Sequence, residues 1–297
     1  MFAGGYLQRM GFYYKIIRPY VVETKSTLFN YYKSFFFKPN HISIDIKHKN
    51  YMKLEHTRHL AIQNGTLVGV SNKYVKAKIR HKGETIPIKL RLRGSTPNEH
   101  QKPDKWSMRI KVRGDAALFN IKKFSLMDLP RRDYMRQWFY REVIRKEGIV
   151  SKRYEFVDVS INGTWKGVYA LDEHYDKTML EYNHRKDGPI IHLEKDAVFI
   201  EKPTHQLEAT FAKLDIGVFD AKRIFAHKEL YEQFKYAKNL LQAFRIGEMK
   251  THEVFDIEKL ARWLAISDIM CGWHGFSPSN MRFYYNPVTS KLEPVPD

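Results

Sequence analysis

The pattern of apolar and polar positions divides the chain into a strand-rich stretch followed by a helical one. From His41 the segment HISIDIKH alternates apolar and polar residues with period two, as does the longer YVKAKIRHKGETIPIKLRLRG. Lys82-Gly83 supplies the turn that folds the longer segment into a hairpin. WSMRIKVRG continues the alternation, and FNIKKFSLMD predicts another short strand. Asp133 then caps a helix over YMRQWFYREVIRKEG, which Gly148 ends. A hairpin follows: YEFVDVSI, the turn Asn162-Gly163, and WKGVYALDEHYD. A short helix through LEYNHR and a strand in GPIIHLEKD complete this part. Past about residue 205, HKELYEQFKYAKNLLQAFRIG and FDIEKLARWLAISDIM carry apolar residues at three- and four-residue spacing and predict helices. The last segment, MRFYYNPVTSKLEPVPD, predicts a hairpin turning at Asn286-Pro287. The plan is α+β with two lobes, β-rich over residues 41–204 and helical over 205–297, preceded by a separate segment, 1–40.

Composition narrows the class. With 43% hydrophobic and 14% aromatic residues, the 297-residue chain buries a substantial core, which excludes wholesale disorder. The single cysteine, Cys271, excludes an internal disulfide framework and a Cys-rich zinc site. A formal charge of +18 points to an anionic partner: nucleic acid, a membrane surface or a phosphorylated ligand. That charge is unevenly placed. Residues 1–40 hold 6 basic and 1 acidic residues, residues 41–113 hold 17 and 5, and residues 114–297 hold 28 and 27. The excess therefore belongs to a basic face on the first part of the chain.

Residues 1–40 also carry 12 of the 42 aromatics, in runs such as GFYYKIIRPY and NYYKSFFFK. They hold no apolar stretch of membrane-spanning length and no signal-peptide pattern. Interleaved aromatic and basic residues suit either a helix packed on the body of the protein or contact with an anionic membrane surface. The compartment reads as cytoplasmic or envelope-associated.

The common phosphate-loop, dinucleotide and H-E-x-x-H zinc signatures are missing. Alternation puts Arg109 and Lys111 on one face of WSMRIKV, and Lys89, Arg91 and Arg93 on one face of KLRLRG. Two such strands side by side make either a wall of fixed cations for a polyphosphate or an ordinary solvated face. In LARWLAISDIMC, Leu260, Leu264, Asp268 and Cys271 share a helical stripe, which turns Asp268 inward and makes Cys271 a buried structural thiol rather than a nucleophile paired with His274. A carboxylate turned inward needs a cation, a metal or hydrogen-bond donors. His274, Asn280 and the terminal Asp297 follow in order, a spacing like that of a hydroxyl-orienting group and magnesium ligands in phosphoryl transfer. The Asn-Gly-Thr sequons at Asn64 and Asn162 are read as turns.

The segments RLRGSTPNEHQKPDKWSMRIKV, FNIKKFSLMD, MRQWFYREVIRKEGI, YEFVDVSINGTWKGVYALDEHYD and NMRFYYNPVTSKLEPVPD together resemble the CotH kinase family, the spore-coat-H group of atypical protein kinases. The resemblance runs over roughly residues 75–297 with the five motifs in the family's order. It implies an atypical protein-kinase-like fold, a β-rich N-lobe and a helical C-lobe, with ATP and Mg²⁺ (or Mn²⁺) between them. It also implies phosphoryl transfer to Ser/Thr hydroxyls of a protein substrate. By position, it makes Arg93, Arg109 and Lys111 phosphate-binding candidates, and Glu173 the carboxylate that pairs with a lysine or a metal. Asn280 and Asp297 become the metal ligands, with His274 or Asp268 orienting the acceptor hydroxyl.

Two departures bear on activity. Many family members carry Asp where this chain has His274, and this chain ends at Asp297, so the kinase-like fold is expected in C-terminally truncated form. Both departures favour the alternative of a pseudokinase or scaffold that binds nucleotide without turnover. A basic nucleic-acid-binding module, resting on charge alone, is the least favoured reading.

Overall fold

A computed structural model describes residues 38–65, 67, 72–94, 105–132, 134–194 and 214–296. Seven strands close a barrel: β1 (Asn40–Asp45), β2 (Val75–His81), β3 (Glu84–Leu92), β4 (Met108–Val112), β5 (Lys123–Asp128), β6 (Tyr154–Ile161) and β7 (Thr164–Glu173), in the order β1-β2-β3-β4-β5-β7-β6. Period-two alternation drives the closure, because one face of each strand is apolar and the only way to bury seven such faces at once is inward. The interior is filled by Ile42, Ile44, Ile79, Ile88, Leu90, Ile110, Phe124, Leu126, Val157, Val159, Tyr169 and Leu171, each fully buried. Helix α1 (His48–Gln63) adds Leu54 to this core. Two turns set the register: Lys82-Gly83 (φ +47° and +83°) joins β2 to β3, and Asn162-Gly163 (φ +49° and +83°) joins β6 to β7. Both are left-handed pairs of the kind that two-residue hairpins require.

A second, four-stranded sheet has the order β11-β10-β8-β9, from β8 (Ile190–Leu193), β9 (Ile216–Val218), β10 (Arg282–Asn286) and β11 (Lys291–Pro294). Helices α2 (Arg136–Lys146), α3 (Lys177–Tyr182), α4 (Ala221–Ala226), α5 (Lys228–Arg245), α6 (Thr251–Val254) and α7 (Ile257–Ile269) complete the described elements. Tyr140 and Ile144 of α2 share one core with Leu240 and Leu241 of α5, Trp263 of α7, and Phe283 and Tyr285 of β10.

This architecture corrects the expected two-lobed kinase-like fold with a helical C-lobe. The β-rich part is a closed barrel, and the later part is built on a sheet of its own with a few helices around it. The expectation failed because it grouped elements by their order along the chain. Helix α2 and strand β8 lie before residue 205 in sequence, yet they pack with elements from residues 214–296. Strand β8 pairs with β10, whose sequence separation no periodicity reports.

The expected Asp133 cap, the terminal Asp297 and residues 1–37, for which a packed helix or a membrane-surface contact was expected, lie outside the described residues. No described helix is long and apolar enough to cross a membrane.

Candidate functional site

The outer face of the barrel holds the charge that the sequence pattern predicts. Register places Arg91 of β3 opposite Arg109 of β4, Arg109 opposite Ser125 of β5, and Ser125 opposite Asp172 of β7. One step along, Lys89 faces Lys111, Lys111 faces Lys123, and the backbone N–H of His174 donates to the carbonyl of Lys123 at 2.9 Å. Arg93 follows the end of β3, its N–H donating to the Ser107 carbonyl at 2.9 Å. The structure thus brings together Arg93, Arg109 and Lys111 and adds Arg91 to them.

Among the described residues these cations form no ion pair with a carboxylate, and Asp172 acts on Arg109 only from a distance. The Nε groups of Arg91, Arg93 and Arg109 are buried without a hydrogen-bond acceptor. Tyr74 takes up part of the charge, with the Arg91 guanidinium 5.1 Å and the Lys111 ammonium 4.8 Å from its ring centre. Burial, reinforced by the neighbouring Arg93 charge, holds Arg109 below the usual arginine value. Like charges this close make a strongly positive face, which Asp172 only partly offsets.

Beside this wall lies a buried charge network. Asp172 is held by Lys152 at 3.1 Å and by Arg141 at 3.4 Å, and all three side chains are 4–6% exposed. Lys152 also lies 4.7 Å from the centre of the Tyr175 ring. Lys123 binds Asp220 at 2.9 Å. Burial raises Asp220, but the hydrogen bond and charge of Lys123, joined by Arg223, prevail and hold its carboxyl below the ordinary range. Asp176 caps α3 by accepting from the N–H of Thr178 at 3.0 Å. Arg282, at the start of β10, lies 5.5 Å from the centre of the Tyr175 ring and 5.8 Å from that of Phe219.

His174 sits among these cations. Burial, then the charges of Arg109 and Lys152, push its pKa down to about 3, so the imidazole is neutral at physiological pH. The unfolded chain binds this proton below about pH 6.5, whereas the folded chain refuses it until about pH 3. More protons bound in the unfolded state means stability rises with pH, so this contribution is complete above about 6.5 and is lost as pH falls toward 3. We expect a drop from pH 7 to 5.5 to cost wild type about 1 kcal/mol more than it costs His174→Asn, read from paired urea titrations.

The remaining candidates fall elsewhere. Glu173 points to the opposite side of its strand, facing Phe124 in register, and is bound by Arg153 through the guanidinium and through a backbone N–H at 3.0 Å. His274 and Asn280 form a pair: the Asn280 Nδ2 contacts His274 Nε2 and also donates to the His274 carbonyl, both at 3.0 Å. Asn280 is buried and His274 exposed. No described contact links this pair to the arginine wall. The chain end does approach the charge network, since Arg141 donates to the Pro296 carbonyl at 3.4 Å, one residue before Asp297.

Asp268 corrects a second expectation. It is exposed, and so is Cys271. Helix α7 buries Trp263, Ile266 and Ser267 while Leu264 is 47% exposed, so its inward face is rotated away from the predicted stripe. Cys271 lies beyond the helix end in a left-handed conformation (φ +52°), off any helical stripe.

Sequence reasoning missed Arg141, Lys152, Asp172 and His174. For the last two, the signal was present: in WKGVYALDEHYD, alternation places Asp172 and His174 on one face and Glu173 on the other. Arg141 and Lys152 become visible only through tertiary packing.

Barrel wall and charge network together make a cation-rich face on a mixed barrel-and-sheet scaffold. The family model described as CotH kinase protein matches residues 90–296, more than half of the chain, and the protein belongs to that family. Membership carries a kinase-like function in general terms, with a nucleotide and a divalent metal as its general requirements. A search of curated proteins finds no match.

The nucleotide requirement suits the residue types present, since the guanidinium groups of Arg91, Arg93 and Arg109 and the Lys111 ammonium are donors that pair with phosphate oxygens. Among the described residues no three His, Cys, Asp or Glu side chains converge. Asn280 spends its Nδ2 on His274, and Asp297, the other candidate ligand, lies outside the described residues. No chemistry is therefore assigned to a metal.

Proposed function

We propose that the protein is an ATP-dependent phosphotransferase that acts on Ser/Thr hydroxyls of a protein acceptor. The observation that carries this reading is the row of half-buried arginines Arg91, Arg93 and Arg109, each with a buried Nε that has no acceptor, beside Lys111. In this role Arg93, Arg109 and Lys111 hold the phosphates, and their fixed charges offset the negative charge of the transferring group. Preorganisation comes from the barrel: the strands fix the backbone, and Tyr74 fixes the Arg91 and Lys111 side chains. Neutral His174 adds a hydrogen-bonding group without adding further charge. His274 is the candidate for orienting the acceptor hydroxyl. Its Nε2 is engaged by Asn280, so accepting a hydroxyl proton there requires the carboxamide to swing away.

That engagement favours a second reading, a pseudokinase or scaffold that binds nucleotide without turnover. Incubation with γ-labelled ATP and Mg²⁺ or Mn²⁺ separates the two. Label on protein Ser or Thr, reduced at least about tenfold in His274→Ala, is the expected result. Nucleotide binding with no label transferred establishes the pseudokinase instead.

A further inference from the structure

The cations on the barrel extend well beyond what a nucleotide needs. Pairing places Lys76 of β2 opposite Lys89 of β3, Lys89 opposite Lys111 of β4, and Lys111 opposite Lys123 of β5. Four lysines therefore stand in one cross-strand row over four adjacent strands, about 14 Å long at the usual spacing of paired strands. Lys76, Lys89 and Lys111 are exposed, and among the described residues none has a carboxylate partner, whereas Lys123 is bound to Asp220 and Asp176. Lys78 stands two residues along from Lys76 on the same exposed face. Like charges directly opposite across a sheet lower stability, and water and salt screen that cost only in part.

We propose that this row is a docking surface for an acidic stretch of a partner polypeptide, which under the phosphotransferase reading is the acceptor protein. The row ends at Lys123, whose carbonyl binds the His174 N–H, so a segment lying along it is led to the candidate phosphate site. The sheet is closed, so β2–β5 have no free edge and a peptide here cannot add as a strand. Side-chain charge is what remains to hold it, and carboxylates complement a row of ammonium groups. Single-stranded nucleic acid also needs rings on which bases stack. Among the described residues of β2–β5 no large apolar side chain is exposed, and the neighbouring Tyr74 is taken by Arg91 and Lys111. The same lack of exposed apolar side chains leaves nothing there to enter a bilayer.

The test uses the full chain, a labelled octaglutamate peptide, an oligothymidylate of equal charge, and the double variant Lys76→Gln/Lys78→Gln. Neither lysine belongs to the phosphate site. Wild type should bind the peptide in a salt-dependent way, and the double variant about tenfold more weakly, with ATP binding unchanged. The variant should also melt at a higher temperature in low salt, because a repulsive pair has gone. Unchanged peptide affinity in the variant overturns the proposal, as does oligothymidylate binding more tightly than the peptide. A wild type that fails to bind ATP but keeps the variant-sensitive peptide binding brings down the phosphotransferase reading and leaves the docking surface standing.

Discussion

Asp172→Ala is expected to cost about 3–5 kcal/mol of folding stability, read as a fall in the urea midpoint with the slope unchanged. The size follows from what is left behind. Lys152 and Arg141 reach Asp172 at 3.1 and 3.4 Å with their side chains only 4% exposed, so removing the carboxylate takes a counter-charge from two cations held away from water. Lys152→Met should cost much less, because Arg141 still neutralises Asp172 and the methionine chain fills a similar volume. The order of the two losses matters more than their values. Equal losses, or an Asp172→Ala loss under about 1 kcal/mol, would show the network to be solvated like a surface ion pair.

Arg109→Gln should behave in the opposite way. Its guanidinium is buried beside Arg91 and Arg93 with no acceptor for Nε, and burial holds its pKa below the usual arginine value. Removing that charge relieves repulsion, so stability should hold or rise. ATP affinity should fall about 10- to 100-fold, the loss of one charge-assisted contact to phosphate. Calorimetric titration beside a urea curve reads both quantities on one protein. A joint loss of stability and affinity would mark Arg109 as a structural residue.

Much of this site was legible in the sequence because strand periodicity is a local property. Alternation in KLRLRG and WSMRIKV predicts the shared face of Arg91, Arg93, Arg109 and Lys111, and the barrel register confirms that face. The hairpin turns at Lys82-Gly83 and Asn162-Gly163 were legible for the same reason. Closure of the barrel was not, since it depends on β5 pairing with β7 and on which distant strands meet. Nor was the inward face of α7: Leu260, Leu264, Asp268 and Cys271 satisfy a helical stripe, but the packing of Trp263 and Ile266 decides which side is buried. His174 looks like an ordinary polar strand residue until Arg109, Lys123 and Lys152 surround it.

The central claim is that the arginine wall recognises phosphate. Titrating adenosine, AMP, ADP and ATP in turn into the full chain tests it most directly. Affinity should rise with each added phosphate, and the gradient should flatten in Arg109→Gln, where one fixed cation of the wall is missing. Four nucleotides bound equally well, or a gradient of the same steepness in the variant, would contradict the assignment of this wall to phosphate.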